Sequence, residues 1–254
     1  MRRVIGLMLA LTAAGAAGLA SSAQSMVAVT EDTYPPYNSI VDGQPQGGSV
    51  DFIRAILREA GLESVPVLSF PWARAYEMAQ GAQPVIIFSM ARTATREKLF
   101  KWGGIVGPYD VFMYALRTRG DIVVETLDDA RNYLSGTTRN DARELYLLSK
   151  GFSLGQHIDS GTDNPTNLRK LMAKRIDLWP IAELVAIETT KSLGFEYSGL
   201  VKAFALPEIS NGLWFACSLG TPDEVVARLQ AAHAKLVKNG SYAAIWRKYG
   251  VSVN

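Results

Sequence analysis

Residues 84–100 read PVIIFSMARTATREKLF: an apolar run broken only by Ser89, then two arginines four apart, Arg92 and Arg96. A strand that is apolar on both faces belongs inside a sheet with helices over each side, so the run predicts a central strand of a parallel α/β sheet. Ligands of open α/β sheets gather beyond the carboxyl ends of such strands. A guanidinium placed there offers a planar pair of donors that matches a carboxylate, and shelter from water makes those bonds short and strong. Read locally, Arg96 also begins the charged stretch TREK, where an exposed arginine at a helix start is solvated or paired with a neighbouring acid.

Working outward, strands and helices alternate. Upstream, MVAVT (26–30) reads as a strand, and Pro35 and Pro36 keep EDTYPPYNS (31–39) from being helical. Ser49 or Gly48 caps the helix VDFIRAILREAG (50–61), whose Val50, Ile53, Ile56, Leu57 and Ala60 share a face, with Gly61 as the stop. VPVLSF (65–70) is a strand, and Pro71 opens the helix PWARAYEMAQG. Downstream, DVFMYAL (110–116) is a strand and TLDD (126–129) starts a short helix. SGTTRNDARELYLLSKG (135–151) is a turn feeding a helix from about Asn140 to Gly151. NPTNLRKLMAKR (164–175) is a helix with Asn164 as cap and Pro165 at its first position. RIDLW is a strand, AELVAIETTKSLG a helix, and GLWFACS (212–218) a strand. TPDEVVARLQAAHAKLVKNG carries a capping box, Thr221 with Glu224, and SYAAIWRKYG closes the chain as an amphipathic helix.

Composition bounds the function. Of 254 residues, the first twenty read as MRR and an apolar segment, followed by SSAQS with small residues at Ser21 and Ala23. This pattern predicts a cleavable secretory leader, residues 1–23, and an exported protein. Removing Arg2 and Arg3 from the 26 basic residues leaves 24, against 24 acidic ones. A chain near neutrality is not expected to take nucleic acid or an acidic membrane surface as its main partner. One cysteine permits no internal disulfide, and two histidines with one cysteine make a metal site unexpected.

The order of TEDTYPPYNS, GSVDFIRAILREAG, FSMARTATREKLFKW, LRKLMAKRID and TPDEVVARLQAAHAKLVKNGSYAAIWRKYG resembles the extracellular solute-binding proteins of the amino-acid-binding type, family 3, the periplasmic receptors of ABC importers. The resemblance covers nearly the whole chain after residue 23. It implies an α/β, two-lobed periplasmic-binding-protein fold of type II, with two hinge crossovers and a ligand cleft between the lobes. By that analogy residues 24–110 and 219–254 form the first lobe and 111–218 the second. It further implies a monomer that captures a small carboxylate-bearing solute, an amino acid or related organic acid, for an inner-membrane ABC permease. No cofactor is expected.

Site residues follow from the same resemblance. Arg96 matches the position that grips the ligand α-carboxylate, and Ser89 one that adds a donor to the same oxygens. From the other lobe, Gly136, Thr137 and Thr138 match a Gly-Thr-Thr turn at a helix start, where free backbone N–H groups attract an anion. Tyr34 matches a position packing on the ligand side chain; Trp72 lies at or beside another, or else packs in the lobe core. Arg92 is either a second positive contact or the partner of Glu97. Trp102, Trp214 and Trp246 read as core or hinge residues.

Departures from the family pattern matter as much. Amino-acid binders commonly place an aspartate, which neutralises the ligand ammonium, where this chain has Ala182. A buried ammonium left unpaired costs several kcal/mol. Either Glu183, Glu31 or Asp32 replaces it, or the ligand carries no such amine. Two other functions share the fold: a sensory receptor, and an enzyme resembling a periplasmic cyclohexadienyl dehydratase, in which Glu183 or Glu31 serves as the acid. No catalysis is expected. Cys217, inside an apolar strand, reads as an inert thiol.

Overall fold

The structure, a computed structural model, describes residues 26–253; the expected leader, 1–23, lies outside them. Strand β1 (Val27–Glu31) leads into a three-stranded antiparallel meander of β2 (Thr33–Tyr34), β3 (Asn38–Val41) and β4 (Gln44–Gln46). Helix α1 (Gly48–Glu59), strand β5 (Val67–Phe70), helix α2 (Trp72–Gln80), strand β6 (Val85–Ala91) and strand β7 (Phe100–Gly107) complete the first excursion. All seven residues of β6 are buried, as its two-sided apolar character requires.

The second excursion runs β8 (Val111–Leu116), a 3₁₀ turn at Asp129–Asn132, β9 (Ser135–Thr138), α3 (Ala142–Ser149), β10 (Ile158–Gly161), α4 (Asn164–Met172), β11 (Trp179–Ala182), α5 (Glu183–Ser192) and β12 (Leu200–Ala205). Here β8 lies antiparallel between β11 and β12, and β9 is parallel to β10, with a bridge from Ser135 to Leu178 linking the two groups. The chain then returns through β13 (Leu213–Ser218), α6 (Asp223–Lys238) and α7 (Ser241–Lys248).

β13 inserts between β6 and β7, antiparallel to both, giving a sheet in the order β5-β1-β6-β13-β7. Two corrections follow. β6 is parallel to β1 on one side only, so the sheet is mixed. The return to the first lobe also comes earlier than the expected Leu219, because GLWFACS already hydrogen-bonds into the first sheet. Nothing within the segment itself distinguishes the two lobes: an apolar strand fits the interior of either.

The crossovers are 108–110 and 206–212, and they touch. Ser210 Oγ accepts from the Val111 N–H at 2.9 Å and donates to Leu206 O at 2.8 Å, while Leu206 N–H donates to Val111 O at 2.9 Å. The meander is tied to the same place, since the buried Tyr37 hydroxyl donates to Pro108 O. In the first lobe, α1 buries Val50, Phe52, Ile53, Ile56 and Leu57. The fully buried Trp246 of α7 packs where a side chain at Gly48 would stand and donates its indole N–H to Val106 O at 3.0 Å.

Local departures have identifiable causes. TREK forms turns, not a helix, with Arg96 N–H on Thr93 O and Leu99 N–H on Arg96 O. Gly136–Thr138 is strand β9 rather than a turn, and α3 begins at Ala142 with Asp141 as its cap. Asp163, not Asn164, caps α4. The box at Thr221 does not form, because Pro222 holds the cap position and the Thr221 hydroxyl pairs with Ser218 Oγ at 3.0 Å. The RIDLW strand starts only at its last residue, Trp179.

Candidate functional site

Between the lobes lies a narrow chamber of about 20 Å³ lined by Glu31, Tyr34, Trp72, Ser89, Ala91, Arg96, Tyr109, Asp141, Ala142, Arg143 and Leu213. Its size is roughly that of one water molecule. The first lobe contributes the carboxyl ends of β1 and β6 and the start of β13 at Leu213, the first crossover contributes Tyr109, and the second lobe contributes the first turn of α3.

Arg96 is 1% exposed and has no acid bonded to it. Nη1 donates to Ala91 O at 3.2 Å within its own lobe, Nη2 to Asn140 O at 3.0 Å across the cleft, and Nε has no partner. Trp72 and Tyr76, one turn apart on α2, stack on each other, and both rings face the guanidinium, whose central carbon is 5.3 and 4.9 Å from their centroids. Burial holds the Arg96 guanidinium below its ordinary value. Trp72 Nε1 donates to the same Asn140 carbonyl at 3.1 Å.

Ser89 and Asn140 share an unusual backbone state. Both have positive φ, 58° and 60°, a conformation that costs a non-glycine residue energy and persists where its surroundings enforce it. The Ser89 hydroxyl is buried without a partner.

At the other end of the chamber stand Glu31, Asp141 and Arg143, all at least nine-tenths buried. Asp141 caps α3 and is saturated: it accepts from the backbone N–H of Thr138, Arg143 and Glu144, and from Nε and Nη2 of Arg143. Arg143 lies over the Tyr34 ring at 5.7 Å. Glu31 has its pKa raised to about 8, chiefly because burial penalises its charged form; Arg143 opposes the shift, and Asp141, Asp32 and Asp163 add to it. It is therefore mostly protonated at neutral pH. Burial likewise pushes the Tyr34 and Tyr109 hydroxyls above their usual range.

Of the residues expected at the site, the chamber wall contains Arg96, Ser89, Tyr34, Trp72 and Glu31. Gly136, Thr137 and Thr138 stand behind α3. The N–H of Gly136 donates to Leu178 O at 2.8 Å, a side chain at Gly136 would collide with Ile176 Cδ1, and Thr137 Oγ1 donates to Glu144 Oε2 at 2.9 Å. The Thr138 N–H is taken by Asp141, and its hydroxyl is buried without a partner. These N–H groups are not available as the expected anion nest. Arg92 points away from the chamber: its Nε donates to Glu97 Oε2 at 2.8 Å, and it stacks on Trp102 and Trp214. Glu183 is outside as well, bridged to Lys202 Nζ at 2.7 Å and to the Tyr197 hydroxyl at 3.1 Å. Ala182, in β11, is fully buried.

Tyr109, Asn140, Asp141 and Arg143 were missed. Asp141 carried the one usable signal, an aspartate before a helical run; nothing in the local sequence marked Arg143 as inward-facing.

A profile of the bacterial extracellular solute-binding proteins, family 3, matches residues 26–252. Among solved structures, a histidine kinase sensor domain described as similar to periplasmic binding proteins is 21% identical, with a TM-score of 0.74 over 91% of this chain and 98% of that one. An ancestral arginine-binding protein bound to arginine is 19% identical, with a TM-score of 0.72 over 88% of this chain and 97% of that one. The arginine-, lysine-, histidine-binding protein ArtJ of the thermophilic bacterium Geobacillus stearothermophilus is 17% identical, with a TM-score of 0.73 over 91% of this chain and 97% of that one. At these identities the likeness is one of fold. A search of curated proteins finds no match.

Proposed function

The chain belongs to the bacterial extracellular solute-binding proteins, family 3, and on that premise we propose that it is a periplasmic receptor that closes on a small carboxylate-bearing solute and delivers it to an inner-membrane ABC permease. The observation that carries the reading is Arg96: a guanidinium almost wholly removed from water, bonded only to two carbonyls, with Nε unsatisfied. A buried cation without a counter-charge is costly, and a bidentate carboxylate offsets that cost. Ser89, with its unpartnered hydroxyl, stands on the same side of the chamber. The solute's carboxylate takes the place of the Asn140 carbonyl on Arg96, and the lobes re-close around it at the touching crossovers.

The fold shared with a histidine kinase sensor domain supports a second reading, in which the closed receptor signals instead of feeding a permease. The capture chemistry is the same in both. A protonated Glu31 beside the chamber also suits the acid of a dehydratase-like enzyme; turnover of prephenate by the purified protein, lost on Glu31→Gln, favours that alternative over a receptor.

The receptor reading is tested by melting purified protein, residues 24–254, against panels of amino acids, dicarboxylates and aromatic acids. A ligand present at a hundred times its Kd stabilises the native state by about 2.7 kcal/mol, which raises the melting temperature. Arg96→Ala should keep the far-ultraviolet spectrum and lose the response. A panel without a hit, or a hit indifferent to Arg96→Ala, removes the reading.

A further inference from the structure

Two buried groups able to carry opposite charge face the chamber from the first lobe, and neither has a charged partner bonded to it. Arg96 is one. Glu31, 7% exposed, is the other: beyond the strand pairing its one hydrogen bond is through the backbone, where O accepts from Asn38 Nδ2 at 2.6 Å, so among the described residues both carboxyl oxygens are free. Strands β1 and β6 bring the two groups together. They are parallel neighbours with Val29 level with Ile87, and Thr30 Oγ1 extends the contact by donating to Phe88 O at 3.1 Å. Continuing that register puts Glu31 level with Ser89, one strand spacing of about 4.8 Å away, at the end of the sheet from which the chain turns to Arg96. The second lobe has no acid to spare. Asp141 is saturated by three backbone N–H groups and by Arg143. Glu144 has Oε1 on Asn140 N–H and Oε2 on Thr137 Oγ1, each at 2.9 Å, and Glu183 is bridged to Lys202 outside the chamber.

We propose that Glu31 takes the ammonium group of a zwitterionic solute whose carboxylate is held by Arg96, so that both charged ends are anchored on the first lobe and the second lobe closes over them. This inference rests on the receptor reading and names the residue that selects for an amine. Burying a charge is favourable only against a bonded partner, and an amino acid supplies one to each of these two groups at once. An acid without an amine satisfies Arg96 and leaves Glu31 facing a second carboxylate. Uptake of the amine also moves a proton. In the empty chamber burial keeps Glu31 protonated at neutral pH, with Asp141 at the start of α3, Asp32 beside it and Asp163 at the cap of α4 acting the same way. Arg143 on α3 pulls against them, Arg96 is the other cation of the chamber, and Tyr34 and Tyr109 in its wall are neutral. An ammonium ion against the carboxyl favours its charged form, so the proton leaves to solvent as the amine arrives.

The experiment titrates purified wild type and Glu31→Gln by calorimetry at pH 7 with three trios: alanine, lactate and pyruvate, and the amino, hydroxy and oxo acids of the leucine and phenylalanine skeletons. At least one amino acid should bind wild type tenfold or more tightly than its two counterparts. Glu31→Gln should erase that preference by weakening the amino acid at least tenfold and the oxygen acids little, whereas a purely structural role for Glu31 weakens all three alike. Repeating the wild-type titration in phosphate and in Tris, which differ in heat of ionisation, should show close to one proton released per amino acid bound. Oxygen acids that bind as well as the amino acids, no binding by any of the three amino acids, a preference that Glu31→Gln leaves intact, parallel weakening of a whole trio, or binding without proton release overturns the inference. The receptor reading survives each of these results provided some carboxylate raises the melting temperature and Arg96→Ala abolishes the rise; a screen in which none does removes both.

Discussion

Arg96 of the first lobe and Asn140 of the second are joined directly, Nη2 to backbone carbonyl, at 3.0 Å. The carbonyl belongs to a residue held at φ 60°, and it accepts a second bond from Trp72 Nε1 at 3.1 Å. The closed form thus satisfies two donors of the first lobe with one acceptor from the second. On the proposed receptor reading a ligand carboxylate replaces that acceptor, so closure without ligand and capture of ligand compete for the same guanidinium.

Trp72→Phe tests this competition. Phenylalanine keeps an aromatic face beside Arg96 and removes the donor to Asn140. A net hydrogen bond is worth about 1 kcal/mol, which lowers the closed-to-open ratio of the unliganded protein roughly fivefold. Small-angle scattering should report a larger radius of gyration than wild type. An unchanged radius means that this bond does not hold the lobes together.

Glu31 makes stability depend on pH. It loses its proton near pH 4.5 when unfolded and near 8 when folded, so between those values the native state holds the extra proton and stability falls as pH rises. The contribution is complete below about 4.5, is gone above about 8, and has a ceiling of roughly 5 kcal/mol. Urea midpoints at pH 6 and pH 8.5 should drop more for wild type than for Glu31→Gln. Equal drops discard the assignment.

Gly136→Ala separates structure from binding in the second lobe. The new methyl group meets Ile176 Cδ1 at 2.3 Å, and overpacking of this kind costs about 1–3 kcal/mol. The melting temperature should fall, while the ligand-induced rise persists. Loss of that rise in a folded variant restores the Gly136–Thr138 segment to the binding surface.

Cys217 is fully buried, and burial pushes its thiol up to about 12. A thiol reagent at pH 8 should leave the native protein unlabelled and label it in denaturant. Fast labelling of the native protein contradicts the packing of β13.

Much of the architecture was legible because it repeats locally. The two-sided apolar run at 84–90, the helical faces of 50–61 and 221–240, and the glycine and proline punctuation each state their element within a few residues. Capping choices were less legible, since neighbouring polar residues compete: Asp163 displaces Asn164, and Pro222 displaces Thr221. The lobe boundary failed for a different reason. β13 is chosen by its partners β6 and β7, which are far away in sequence.

The sequence by itself determined the alternation of strands and helices, the near-neutral charge of the chain after residue 23, and the placing of Ser89 near, and Arg96 beyond, the carboxyl end of a buried strand. Those are properties of short segments, where periodicity and side-chain chemistry act between near neighbours. Tertiary structure decided which charges meet. Arg92 and Arg96 have the same chemistry four residues apart, yet one pairs with Glu97 near the surface and the other is enclosed between Trp72, Tyr76 and Asn140. Burial, which also sets the proton on Glu31 and draws Asp141 and Arg143 into the chamber, arises only when two lobes distant in sequence close on one another.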